Sequence, residues 1–110
     1  MTESMPDPSS QSPKIMPDPA ALAEFCERYG VREVSLFGSV LRDDFDEHSN
    51  VDVMLEFKPN AGFTFDNTPD IIDDLTEMFG RRVDVIEGRC IRNPYRREAI
   101  MNSRRVIYAA

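Results

Sequence analysis

The sequence predicts a small α/β (α+β) domain: a mixed β-sheet of three to four strands with helices packed mainly on one face. Helical periodicity alternates with short β-type runs, in the order α-β-α-β-α-β-α. Val51–Phe57 alternates, with Asp52, Met54 and Glu56 on one face and Val51, Val53, Leu55 and Phe57 on the other, the mark of a strand with one apolar face. The 110 residues, 41% of them hydrophobic, suffice for one domain with a modest core.

Each element has a local reason. Residues 1–17 are rich in Pro and Ser and offer little to bury, so they are expected to be a disordered extension before a domain at 18–110. Asp18-Pro19 opens a helix, because Asp caps well and Pro suits the first helical position. Leu22, Phe25, Cys26 and Tyr29 fall on one helical face, and Gly30 ends it. Val31–Phe37 reads as a strand, and a short helix is expected from Val40 to Asp43. Lys58–Thr68 is a loop, with Pro59, Asn60 and Gly62 as turn formers. Pro69–Phe79 is a helix with Ile71, Ile72, Leu75, Met78 and Phe79 apolar, and Gly80 caps it. Arg82–Ile86 is the third strand and Pro94–Ser103 the last helix. Strands two and three are expected to pair with strand one, and the tail Val106–Tyr108 either adds an edge or covers the core.

Composition excludes several classes. The net charge of −7 argues against direct DNA binding, since phosphate backbones demand clustered Lys and Arg. Residues 1–80 hold seventeen acidic and five basic side chains, while 81–105 hold eight Arg and three acids. That asymmetry fits either a solvated surface of mixed sign or a basic face for a polyphosphate or acidic partner. No apolar run approaches a membrane span, and the N-terminus lacks a secretory pattern. Cys26 and Cys90 make no disulfide framework and no metal motif, so both are expected as free thiols in a reducing cytoplasm.

Three places carry chemistry. Gly38-Ser39 follows a strand and starts a helix, where backbone N–H groups and a hydroxyl suit a phosphate; by itself it is also an ordinary turn with a Ser cap. Asn50 and Asp52, eleven and thirteen residues past Ser39, share a strand face and offer oxygens to Mg²⁺. Asp84 lies in Arg-Val-Asp-Val-Ile, where strand propensity disfavours it, and it supplies a third position if the two strands are neighbours. Ser39 has no evident base beside it, which assigns it to phosphate binding rather than nucleophilic attack. His48, the one histidine, reads as a surface residue, and Arg92–Arg97 as solvent-exposed cations within reach of phosphate or an acidic partner.

Gly38-Ser39, Arg42, Ser49-Asn50-Val51-Asp52 and Asp84 in Val-Asp-Val together resemble the DNA polymerase β-type nucleotidyltransferase superfamily, in its minimal nucleotidyltransferase branch. The resemblance spans Val31 to Ile86 and implies a polymerase β-like fold. It implies that Gly38 and Ser39 grip a triphosphate and that Arg42 touches phosphate, although an ion pair of Arg42 with Asp43, Asp46 or Glu47 fits equally. It implies positions 50, 52 and 84 as catalytic metal ligands for a two-ion Mg²⁺ site, with ATP as substrate. Minimal members pair with HEPN-domain toxin proteins, and the implied role is an antitoxin adding AMP to a Tyr hydroxyl of the HEPN ribonuclease. The departure is Asn50, where the family has Asp. Asn keeps the shape but loses a full charge, which should weaken metal binding and reduce or abolish transfer. The substitution fits a natural loss of activity or an introduced change equally. A non-catalytic module that neutralises a partner by contact is the alternative, and a homo-oligomerising α/β domain is a third.

Overall fold

The computed structural model describes residues 16–41, 45–46, 48–64 and 66–109, with the backbone alone at Arg89. Residues 1–15 of the expected extension, and Arg42, lie outside the described residues.

The order is α1 (Pro19–Tyr29), β1 (Val31–Phe37), β2 (Val51–Phe57), α2 (Thr68–Phe79), β3 (Val83–Glu87), α3 (Pro94–Ser103) and β4 (Arg105–Ala109), with single 3-10 turns at Gly38–Leu41 and Gly88–Cys90. Asp18 caps α1 by accepting the Ala21 N–H at 3.2 Å. Gly30 ends the helix in a left-handed conformation, its N–H donating to the Cys26 carbonyl. Leu22, Phe25 and Cys26 are buried along one face of α1, and Ile71, Leu75 and Phe79 along one face of α2. The Tyr29 hydroxyl joins the two helices, donating to Asp74 at 2.6 Å. Burial pushes the Cys26 thiol up to about 12, against the smaller lowering pull of Lys58, so Cys26 serves as a packing residue.

The sheet runs β3-β2-β1-β4. β1 pairs antiparallel with β2 and with β4, while β3 pairs parallel with β2 alone. This corrects the expected pairing of strand three with strand one. α2 is the crossover that a parallel neighbour requires, and it sets β3 down on the free side of β2. The apolar tail does form an edge strand, β4.

The two crossovers run in opposite directions, since β2-α2-β3 moves outward and β3-α3-β4 moves back across the sheet. Right-handed connections therefore place α2 and α3 on opposite faces. Burial agrees. Val34, Leu36, Val51, Val53 and Leu55 form one cluster with α1 and α2, whereas Met54 and Ile100 are buried outside it. Arg104, at the end of α3, donates to Glu33 of β1 at 3.3 Å. Two of the three helices thus share a face, and α3 crosses the other.

Candidate functional site

Period two divides β2. Val51, Val53, Leu55 and Phe57 face the cluster under α1 and α2, so Asp52, Met54 and Glu56 face the other side. At the N-terminal end of this second face, three strands bring the candidate residues together. Asp52 pairs with Phe37 at the end of β1 and with Asp84 on β3. Parallel register carries Asp84 to the same face as Asp52. The Asn50 amide, just before β2, donates to the Asp84 carboxylate at 3.2 Å. Asp52 is half-buried and Asp84 is exposed.

Gly38 lies directly against this cluster. Its φ is +77°, in the left-handed region, and a Cβ there would collide with the Asp52 carboxylate. The glycine therefore lets the β1 turn and the Asp52 side chain occupy adjoining space. Ser39 follows, half-buried in the same turn. The helix expected from Val40 is a single 3-10 turn, Gly38–Leu41. Four residues align few peptide dipoles, so a phosphate at this turn would depend on Gly38's close approach and not on a helix field.

Arg81 went unnoticed in the sequence. Its Nη1 donates to the Asp46 carbonyl at 2.7 Å and the Ser49 carbonyl at 3.0 Å, and its guanidinium lies 4.6 Å from the centre of the Phe45 ring. The Val51 N–H donates to the Arg82 carbonyl at 3.1 Å. Asp46 completes the loop by accepting the His48 N–H at 2.8 Å and the Ser49 hydroxyl at 3.2 Å. Those bonds, the His48 N–H first, hold the Asp46 carboxyl below its ordinary value. Arg81 thus ties the residues before Asn50 to the start of β3. An Arg immediately after a helix-ending Gly80 was the available signal, but its meaning depends on the strand register.

Arg97 and Arg104 prove structural. Arg97 donates to the Gly88 carbonyl at 2.6 Å, and Arg104 pairs with Glu33. Part of the C-terminal positive charge is therefore spent within the fold. Among the described residues no group of three His, Cys, Asp or Glu side chains converges to hold a metal ion. The third side chain at this cluster is the neutral amide of Asn50, which donates to Asp84. Two carboxylates on adjoining strands, open on one side, suit one Mg²⁺ completed by substrate phosphates and water. A second ion would lack the charge missing at position 50.

The strand order, the Gly38 turn and the paired Asp52 and Asp84 define a nucleotidyltransferase-type domain. The chain belongs to the nucleotidyltransferase domain family, whose model matches residues 20–107. A candidate protein adenylyltransferase of Methanocaldococcus jannaschii is 35% identical over 74 residues, covering 67% of this chain and 74% of the relative. Protein adenylyltransferase MntA of Thermococcus cleftensis is 33% identical over 63 residues, covering 57% of this chain and 62% of the relative. A solved structure described as a minimal nucleotidyltransferase superposes with a TM-score of 0.63 at 30% identity, covering 78% of this chain and 84% of that one. A toxin–antitoxin crystal structure with AMP-PNP shares the fold, with a TM-score of 0.65 at 11% identity over 83% of this chain and 73% of that one.

Proposed function

We propose that this chain is a nucleotidyltransferase-type antitoxin that takes ATP as substrate and directs AMP to a hydroxyl, a Tyr side chain, of a HEPN ribonuclease toxin. The observation that carries this reading is the register of Asp52 against Asp84 with Gly38 seated on the Asp52 carboxylate. Relatives named protein adenylyltransferase support it, as does the fold shared with a toxin–antitoxin that binds AMP-PNP. Gly38 and Ser39 would receive the phosphates. Asp52 and Asp84, with the Asn50 oxygen, would hold Mg²⁺, which when bound neutralises phosphate charge. Arg42 is proposed to touch phosphate beside them. The family match supports a domain at 18–110, with 1–17 an extension. No helix among the described residues is long and apolar enough to cross a membrane. A cytoplasmic partnership belongs to the proposal itself.

Asn50 sets the level of activity. Its amide points a donor at Asp84 where the family pattern would bring a second negative charge. That contact favours a second reading, a module that neutralises its partner by contact and transfers weakly or not at all. The two are separated with labelled ATP, Mg²⁺ and a HEPN-domain protein as the candidate partner. Transfer by Asn50→Asp alone means a competent fold silenced at position 50. Tight complex formation without transfer by either protein supports the contact module. Absence of both nucleotide and partner binding would sink both readings.

A further inference from the structure

β3 is an edge strand, and beyond its start lies a cavity of about 580 Å³. That volume falls within the roughly 300–1,000 Å³ of small-ligand sites. Ile72 and Thr76 of α2 and Val83 form its less polar side, and Arg81, Arg82 and Asp84 its charged side. Asp84 therefore belongs at once to the candidate metal cluster and to this cavity. We propose that the cavity receives the acceptor, an acidic polypeptide segment that presents its hydroxyl to the Asp84 side of the site. The proposal rests on the nucleotidyl-transfer reading above and adds where the acceptor docks and what surrounds its hydroxyl.

Geometry gives the direction. The Gly38–Ser39 turn ends β1, Asp52 lies on the neighbouring β2, and Asp84 on β3 beyond it. Adjacent strands are about 4.8 Å apart, so these positions form a row about 10 Å long. In phosphoryl transfer the attacking and leaving oxygens lie in line, on opposite sides of the phosphorus. With the leaving phosphates at the Gly38–Ser39 end, the attacking hydroxyl comes from the Asp84 end. In that step the acceptor oxygen bonds the α-phosphorus and the bond to the α,β-bridging oxygen breaks. Pyrophosphate leaves with the electron pair, and the hydroxyl proton passes to water. On the attacking side no further strand stands in the way among the described residues, and the cavity opens there.

Charge gives the chemistry. The guanidinium of Arg81 is committed to the Asp46–Ser49 loop. Arg82 is exposed, and its side chain has no hydrogen-bond or ion-pair partner among the described residues. Ile72 is 38% exposed, the one large apolar side chain of α2 left facing solvent among the described residues. One unpaired cation beside an apolar wall suits a carboxylate next to a ring or aliphatic group. A nucleic-acid strand would need several phosphate-binding cations, whereas the described lining of this cavity offers two Arg, of which Arg81 is already committed to the Asp46–Ser49 loop.

The probe is a short fluorescent peptide with a central Tyr flanked by Glu, compared with its counterpart carrying Lys in place of Glu. NMR titration should move the Ile72 methyls and the Val83 and Asp84 amides with the Glu peptide. Arg82→Glu should weaken the Glu peptide about tenfold or more and reverse the preference toward the Lys peptide, since like charges in contact cost on the order of 1.4 kcal/mol or more. ATP affinity should stay within about twofold, well below the 1.4 kcal/mol of a tenfold change. Peptide affinity indifferent to Arg82→Glu, shifts confined to another surface, or no binding would overturn the proposal. So would loss of ATP binding with peptide binding intact, which would give the cavity to the nucleotide. Failure of both this chain and Asn50→Asp to bind ATP would overturn the nucleotide reading itself, and with it the acceptor role, even where the peptide binds.

Discussion

The two faces of β2 are built on different rules. On one, Val51, Val53, Leu55 and Phe57 are held by many weak contacts with α1, α2 and the neighbouring strands. On the other, Asp52 is placed by a glycine, a register and a loop anchored elsewhere. Dispersion and burial are summed over many atoms, so the first face resists small rearrangements collectively. The second depends on single atoms. One strand thus carries stability and chemistry at once, and mutations should separate them.

The largest effect should come from the apolar face. Leu75→Ala, at a side chain with no exposure in the cluster, should cost about 2–5 kcal/mol in urea unfolding. Such a loss would take much of the stability of a domain this size. Asp52→Ala should move the urea midpoint far less than Leu75→Ala does, while removing Mg²⁺-dependent ATP binding. If Asp52→Ala unfolds the chain as readily as Leu75→Ala, the separation of the two faces is wrong.

Gly38→Ala should come next, because it strikes both faces together. A left-handed φ on a residue with a Cβ costs about 1–3 kcal/mol, and that Cβ also collides with Asp52. ATP binding should fall further than the stability loss explains. Equal losses in binding and stability would show that Gly38 matters only to the turn.

The contrast between the faces also explains what was legible. Apolar periodicity located α1, α2 and β2 because burial repeats along the chain. The same alternation placed Asp52 opposite Val51 and Val53, and low strand propensity singled out Asp84. Other features required two strands at once. β3 shows nothing in its own residues that selects β2 over β1, since the choice follows from the crossover through α2. β4 is short and half-exposed, so Val106–Tyr108 read equally as a tail. Arg81 carries no local pattern of its own; only the register brings it to the Asp46–Ser49 loop. The cavity beside Asp84 joins α2 to the start of β3, and no local pattern announces it.

Arg81→Ala should have a smaller effect on stability, about 1–2 kcal/mol, from the two lost carbonyl bonds and the ring contact. Its effect should concentrate in the loop. Amide exchange at Ser49 and Asn50 should speed up while the α2 and β1 amides keep their protection. Arg81→Lys should restore only part of that protection, because a compact ammonium cannot reproduce the planar guanidinium over the Phe45 ring while its nitrogen reaches both carbonyls. Uniform loss of protection across the chain would make Arg81 a global stabiliser instead of a loop anchor.

The smallest effect should be a pH dependence in the same loop. Asp46 has its carboxyl held below the ordinary value by the His48 N–H and then the Ser49 hydroxyl. A carboxyl with a lowered folded pKa stabilises the folded loop above its unfolded value. That contribution fades as pH falls through the folded pKa. The window therefore lies below about 4, the ordinary range of an Asp carboxyl. There the His48 and Ser49 amide signals should shift together while core amides stay still. Asp46 is solvent-exposed, so the loss should be local and leave the urea midpoint almost unmoved. Asp46→Asn should abolish the pH response, because the amide does not titrate in that range. A response that persisted in Asp46→Asn would show that the Asp46 carboxyl is not its source and would overturn this reading of the loop.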